Sequence, residues 1–263
     1  RIAKYPLSER DASKLLKYCD GNVSEYKFHE IPSILPSGAL MVFNDTKVVP
    51  ARLHFQRPTG AHIEIFCLEP VDPAEYATMF AVCDKCTWKC IVGNVKRWKG
   101  DTLSLYNPDK DAEVAALALK AELVERQGET SVVEFSWDGG FPFSKVLEIG
   151  GSVPIPPYLN RDTEDIDLER YQTLYARFRG SVAAPTAGLH FTNELLEKIR
   201  AKGINIGYVT LHVGLGTFRP VKEEKIENHL MHSEHYVMPK ETAELIKSTK
   251  TNGGRVICVG TTS

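Results

Sequence analysis

Five short stretches of the chain hold residue types that can bind or react. In Gly180–Thr192, the small residues Ala183, Ala184, Ala187 and Gly188 let a ligand approach the backbone, while Thr186 and His190 supply a hydroxyl and a titratable imidazole. The stretch runs into a helix pattern whose first N–H groups favour negative charge. Polar groups punctuating such a small-residue loop favour a ligand over packing alone. In Val209–Pro220, His212 precedes Gly214, Gly216, Thr217 and Arg219. This is either a ligand loop at a strand end or a glycine turn beside a core histidine, and the full Gly-x-Gly-x-x-Gly fingerprint is absent. Glu227–His235 carries His229, His232, Glu234 and His235, at a spacing that fits no helix-borne zinc pattern. Surface and hydrogen-bonding histidines are expected there and no metal, with an acid/base or substrate-orienting role open to His232 and Glu234. Val42–Arg52 sets Asn44, Asp45 and Thr46 after an apolar run. Asp45 either accepts from ribose or adenine groups or closes an Asx turn, and Arg52 suits a carboxylate or phosphate. Cys83, Cys86 and Cys90 lack a fourth ligand and the order of a cluster loop, so reduced cysteines on β-strands are expected.

These groups need elements to position them. Ala39–Phe43 reads as a strand leading into Asn44–Thr46. His62–Leu68 alternates apolar and polar residues, and Ser131–Trp137 stops at Asp138-Gly139-Gly140, so both read as strands. Ala112–Glu125 reads as a helix. Asn193–Lys202 reads as a helix capped by Thr192 or Asn193 and stopped by Gly203, with Leu195, Leu196 and Ile199 as its apolar stripe. Ile206–Val213 is expected to be a strand, Pro239–Thr251 a helix, and Arg255–Val259 a strand leading into Gly260–Ser263. Strand–helix alternation argues an α/β fold.

Charge supports a three-part division. Residues 1–57 hold nine basic and six acidic side chains, 58–151 nine and fifteen, and 152–263 fourteen and thirteen. A polyanion would prefer the flanks to the middle. The expected organisation is an α/β domain from 1–57 and 152–263, interrupted by a β-rich domain over 58–151. The 263 residues are 43% hydrophobic and 25% charged with net charge −2, the balance of an ordinary globular protein, which excludes a broadly basic nucleic-acid coat. No apolar run nears the ~18 residues of a membrane span, so no membrane is expected. Six scattered cysteines argue against a disulfide scaffold and for a reducing cytosol, hence a cytoplasmic protein. A start at Arg1 without Met and a stop at Ser263 just past a strand pattern are expected of a piece of a longer chain.

Taken in order, the chain resembles the S-adenosylmethionine:tRNA ribosyltransferase-isomerase family of queuosine biosynthesis. The likeness is carried by Tyr5–Ser13, Val42–Lys47 with Pro50–Leu53, Thr59–Gly60 with Ile63–Glu64, Pro154–Tyr158, Tyr171–Tyr175, Ser181–Phe191, Thr210–Gly214, Gly216–Phe218, Met231–Glu234 and Val259–Ser263. The resemblance implies an α/β barrel-like catalytic domain interrupted by a smaller β-barrel-like domain. Family members continue past the Gly-Thr-Thr-Ser motif with a segment that completes the catalytic domain. It also implies the reaction: the ribosyl part of S-adenosylmethionine passes to 7-aminomethyl-7-deazaguanine at the wobble position of a tRNA with a GUN anticodon. The ribose rearranges to give epoxyqueuosine, and adenine and methionine leave. S-adenosylmethionine is then a co-substrate, no prosthetic group is expected, and the enzyme is expected to be a monomer.

Such chemistry needs a base for the proton on the ribose carbon beside sulfur, a donor for departing adenine, and a neutral amine on the nucleobase. His190 and His212 are the natural proton carriers, with Glu234 as alternative base or as the group orienting His232. Asp45 and Thr186 would hold ribose or adenine, supported by Asn44, Thr46, Gly188, Gly214, Gly216 and Thr217. Arg52, Arg161 and Arg219 could meet tRNA phosphate or the methionine carboxylate. Two rivals remain: a noncatalytic tRNA-binding protein, and a metal-dependent hydrolase built on the 229–235 histidines or the 83–90 cysteines.

Overall fold

The structure, a computed structural model, describes residues 3–214, 227 and 234–263. The chain forms two compact units. One gathers the described residues of 1–47, 156–213 and 220–263, the other those of 48–155 with Gly214.

The first unit is built on a sheet in the order Tyr236–Val237, Asn205–Leu211, Leu40–Asn44, Val256–Cys258. Leu40–Asn44 runs parallel to the strands on both sides, with Leu40 opposite Asn205 and Val256. All five of its residues are buried, as expected of a parallel strand covered on both faces. Alternation divides them. Met41 and Phe43 join Phe28, Phe191 and the Leu195, Leu196 and Ile199 stripe of the Asn193–Ala201 helix. Leu40 and Val42 pack with Val209, Leu245 and Ile246, the last two from the Lys240–Thr251 helix. Thr192 caps the first helix, its hydroxyl accepting from the Leu195 N–H at 3.1 Å. Gly203, at φ +76°, lets the chain turn out after its end.

The second unit is an antiparallel barrel. Arg52–Gln56, His62–Asp72, Lys85–Val92, Thr130–Ser136, Lys120–Gln127 and Leu103–Leu105 follow one another, and Leu103–Leu105 pairs back onto Arg52–Gln56 to close six strands. Its interior takes Leu53, Phe55, Ile63, Ile65, Val133 and Phe135, all fully buried. Phe143 of the Phe143–Gly150 helix packs its ring among Trp88, Phe135 and Trp137.

Two expectations need correction. The helix expected over Ala112–Glu125 stops early: only Asp111–Leu117 is helical, and Lys120–Gln127 is a barrel strand. Ala118 sits in the left-handed region at φ 45°, which ends the helix, and the pairing that makes the next residues a strand lies with Thr130–Ser136. Of the three clustered cysteines, Cys86 and Cys90 are buried on the Lys85–Val92 strand, whereas Cys83 lies before it and is exposed. All six cysteines are free thiols, and burial pushes those of Cys86 and Cys90 up. Among the described residues no helix is long and apolar enough to cross a membrane.

Candidate active site

In a parallel sheet, ligands sit beyond the carboxyl ends of the strands. At that edge of the first unit, Asn44, Asp45 and Thr46 leave the central strand, and each bonds the end of Asn205–Leu211 or the residue after it. The Asn44 amide donates to the Leu211 carbonyl at 2.9 Å and the Thr262 hydroxyl at 3.2 Å. Its oxygen accepts from the N–H groups of Leu211 and Thr46, both at 3.1 Å. Asn44 thereby ties three strand ends together, and its amide is spent on that task.

Asp45 is 3% exposed, and its carboxylate accepts from the Thr210 hydroxyl at 2.7 Å. Its main chain is held too: the N–H donates to the Val209 carbonyl, and its carbonyl accepts from the N–H of Arg177 at 2.7 Å. Burial raises the Asp45 carboxyl above the usual carboxylate range, opposed by the Thr210 hydroxyl and by Arg177. One residue on, the Thr46 hydroxyl lies 2.8 Å from Nδ1 of His212.

His212 is 7% exposed. Its ring rests on the backbone of Gly180, where an added Cβ would lie 2.6 Å from Nδ1. Its N–H donates to the His235 carbonyl, and the two imidazoles lie nearly parallel with centroids 6.2 Å apart. Burial, and then His235, push the His212 imidazole down to about 4. It is therefore neutral at pH 7, able to accept a proton at one ring nitrogen, and a strong donor once protonated.

The small-residue loop forms a short 3-10 turn over Thr186–His190. Gly188 is buried there because a side chain would overlap the Tyr175 hydroxyl and the Thr173 methyl. Thr186 is exposed. His190 is half-buried, its Nδ1 3.3 Å from the Arg10 carbonyl and its ring against Phe28. Arg10 also binds the carbonyls of Glu169, Gln172 and Leu189, which pins the turn to the N-terminal segment. In the loop after Val256–Cys258, a Cβ at Gly260 would come into van der Waals contact with the Ala187 methyl, and Thr262 carries the bond from Asn44.

The structure thus brings Asn44, Asp45, Thr46 and His212 into one network, whereas Gly188 sits against Tyr175 and Thr173 and His190 against Arg10 and Phe28. Glu234 is half-buried beside His235. Arg161 is turned to another use: its guanidinium grips Asp167 through two bonds of 2.7 Å, reaches the carbonyls of Lys4 and Asp162, and lies over the Tyr5 ring. Arg52 belongs to the barrel, 3.9 Å from the Glu64 carboxylate and over the Phe66 ring. Gly214 is grouped with the barrel unit. Gly216, Thr217, Arg219, His229 and His232 lie outside the described residues. Among the described residues no group of three or more His, Cys, Asp or Glu could hold a metal ion.

Four contributors went unassigned on sequence alone. Thr210, Thr262 and Arg10 stood inside motifs that carry the resemblance, and Gly180 at the head of the small-residue loop, each without a role of its own.

Residues 1–263 match the family model described as queuosine biosynthesis protein. A curated relative, the S-adenosylmethionine:tRNA ribosyltransferase-isomerase of Trichlorobacter lovleyi, is 45% identical over 265 residues, covering 100% of this chain and 71% of the relative. A solved structure, the S-adenosylmethionine tRNA ribosyltransferase of Thermotoga maritima, is 26% identical with a TM-score of 0.38; it covers 98% of this chain, which spans 65% of that one.

Proposed function

The chain belongs to the queuosine biosynthesis protein family, and we propose that it transfers and isomerises the ribosyl moiety of S-adenosylmethionine onto 7-aminomethyl-7-deazaguanine at the wobble position of tRNA, giving epoxyqueuosine. Adenine and methionine are released. The observation that carries the reading is the neutral, buried His212 imidazole held at the carboxyl ends of parallel strands by the Asn44–Thr46 tripeptide. The 45% identity to a relative bearing that activity supports it.

The sulfonium of S-adenosylmethionine acidifies the ribose carbon beside it. His212 or His190 takes that proton, and the resulting imidazolium returns one to adenine as it leaves; a group with the depressed basicity of His212 gives up its proton readily. The nucleobase amine attacks as the neutral species, because an ammonium has no lone pair. Asp45 holds a ribose hydroxyl or an adenine amino group, as does Thr186, with Glu234 as the alternative base. Arg52 and Arg219 meet a carboxylate or phosphate, while Arg161 pairs with Asp167 and holds the N-terminal segment through the Lys4 carbonyl and the Tyr5 ring. The reading includes a tRNA with a GUN anticodon, a cytoplasmic monomer and no prosthetic group; the six free cysteines suit a reducing compartment.

The test is incubation of the full chain with S-adenosylmethionine and tRNA bearing the deazaguanine precursor, following free adenine. Adenine release that depends on the precursor tRNA is expected. Retention of tRNA without adenine would make the protein a binding module, and activity abolished by a chelator would favour a metal-dependent hydrolase.

A further inference from the structure

We propose that Thr46 is a positioning residue whose hydroxyl fixes the tautomer of His212, placing the proton on Nδ1 and the lone pair on Nε2. The kinetic half of this inference rests on the proposed ribosyl transfer; the tautomer does not.

The argument is one of donors and acceptors. The Thr46 hydroxyl has one proton to give and two lone pairs. It lies 2.8 Å from His212 Nδ1 and 3.5 Å from the Phe178 carbonyl oxygen. A carbonyl only accepts, so the hydroxyl proton points to Phe178, and the hydroxyl oxygen is left to accept from Nδ1–H. The reverse arrangement spends the hydroxyl proton on Nδ1 and sets two acceptor oxygens against each other. Thr46 is 0% and His212 7% exposed, so bulk water does not stand in for either partner, and the arrangement that pairs hydroxyl, ring nitrogen and carbonyl together is favoured.

The surroundings hold this geometry. Gly180 lies against the ring, with the space of a missing Cβ filled by Nδ1, Cε1 and Cγ at 2.6–2.8 Å. The His212 main chain is bonded to His235, and Thr46 is itself anchored through its N–H to Asn44. The neighbouring carboxylate of Asp45 is turned to Thr210. The imidazole is therefore oriented by a hydroxyl, which sets the tautomer without adding charge. Thr46 acts through His212, a different part from the substrate contact its place in the Asn-Asp-Thr motif suggests.

The experiment is nitrogen NMR of histidine-labelled full chain at pH 7.5, comparing wild type, Thr46→Val and Thr46→Ser, with His212→Gln to assign the signal. Wild type and Thr46→Ser should show His212 protonated at Nδ1, and Thr46→Val a mixture of tautomers. In turnover, Thr46→Val should lower kcat for adenine release roughly tenfold to a hundredfold with little change in KM for S-adenosylmethionine, and Thr46→Ser should restore it. A wild-type proton on Nε2 overturns the proposal, as does an unchanged tautomer in Thr46→Val or a loss confined to KM. If wild type releases no adenine, the reaction assigned here fails, and the wild-type spectrum still decides the tautomer.

Discussion

His212 is an imidazole kept neutral by what surrounds it, and that has a thermodynamic consequence. Its pKa falls from 6.5 to about 4 on folding, with burial as the main cause. The unfolded chain therefore takes up this proton first as pH drops. The contribution is fully present above about 6.5, is lost between there and about 4, and is flat below. It amounts to at most about 3 kcal/mol. Urea midpoints at pH 7.5 and 5 should draw closer together in His212→Gln than in wild type; an equal fall in both would mean that His212 titrates normally in the fold. Asp45 has the opposite sign. Its carboxyl is raised by burial, so its charge costs stability at neutral pH. Asp45→Asn should hold or raise the melting temperature at pH 8, while adenine release collapses. A variant that melts much earlier at pH 8 would show that the charge is instead compensated in the fold.

At the scale of elements, the site depends on turns with no room to spare. Gly188→Ala pushes a methyl into the Tyr175 hydroxyl and the Thr173 methyl, and the surrounding aromatic cluster, with Phe43 edge-on to Tyr175, cannot easily yield. A loss of about 1–3 kcal/mol is expected, read by thermal melting, together with a loss of adenine release. Thr192→Ala is the matching control. It removes the cap bond to Leu195, should cost about 1 kcal/mol, and should leave KM for S-adenosylmethionine unaltered. Most of these elements were legible because their signals are local. The Leu195, Leu196 and Ile199 stripe with Thr192 before it and Gly203 after it marks the Asn193–Ala201 helix, and the apolar run Ala39–Phe43 marks the buried strand Leu40–Asn44. Ala112–Glu125 misled because Ala-rich sequence favours a helix until a partner strand competes for it. The hairpin of Lys14–Cys19 with Asn22–Lys27 escaped notice although Asp20-Gly21, both at positive φ, is a strong turn signal. Its strands are largely exposed, so no clean alternation announces them.

At the scale of the whole molecule, the proposed partner is a polyanion met by a protein of net charge −2. Retention of tRNA should weaken steeply between about 50 and 200 mM salt. The flanks of the sequence are net basic and the middle net acidic. Lys14→Glu with Lys240→Glu should therefore weaken retention more than Lys85→Glu with Lys145→Glu, as measured by filter binding. All four lysines sit in ion pairs on exposed surface, so the comparison is balanced, and equal effects would refute the charge argument.

Composition, periodicity and motif order were enough to establish an α/β protein with a β-rich middle, to bring forward Asp45, His190 and His212, and to place the chain beside its family. Those properties are written in neighbouring residues, where spacing alone carries the signal. Only the folded chain decided that Leu103–Leu105 returns to Arg52–Gln56 to close the barrel, that Arg161 serves Asp167, and that Asn44, Asp45 and Thr46 each reach the end of a strand more than 160 residues away. Pairing across such distances depends on three-dimensional register, and a side chain's last hydrogen bond is settled by which partner the fold delivers to it.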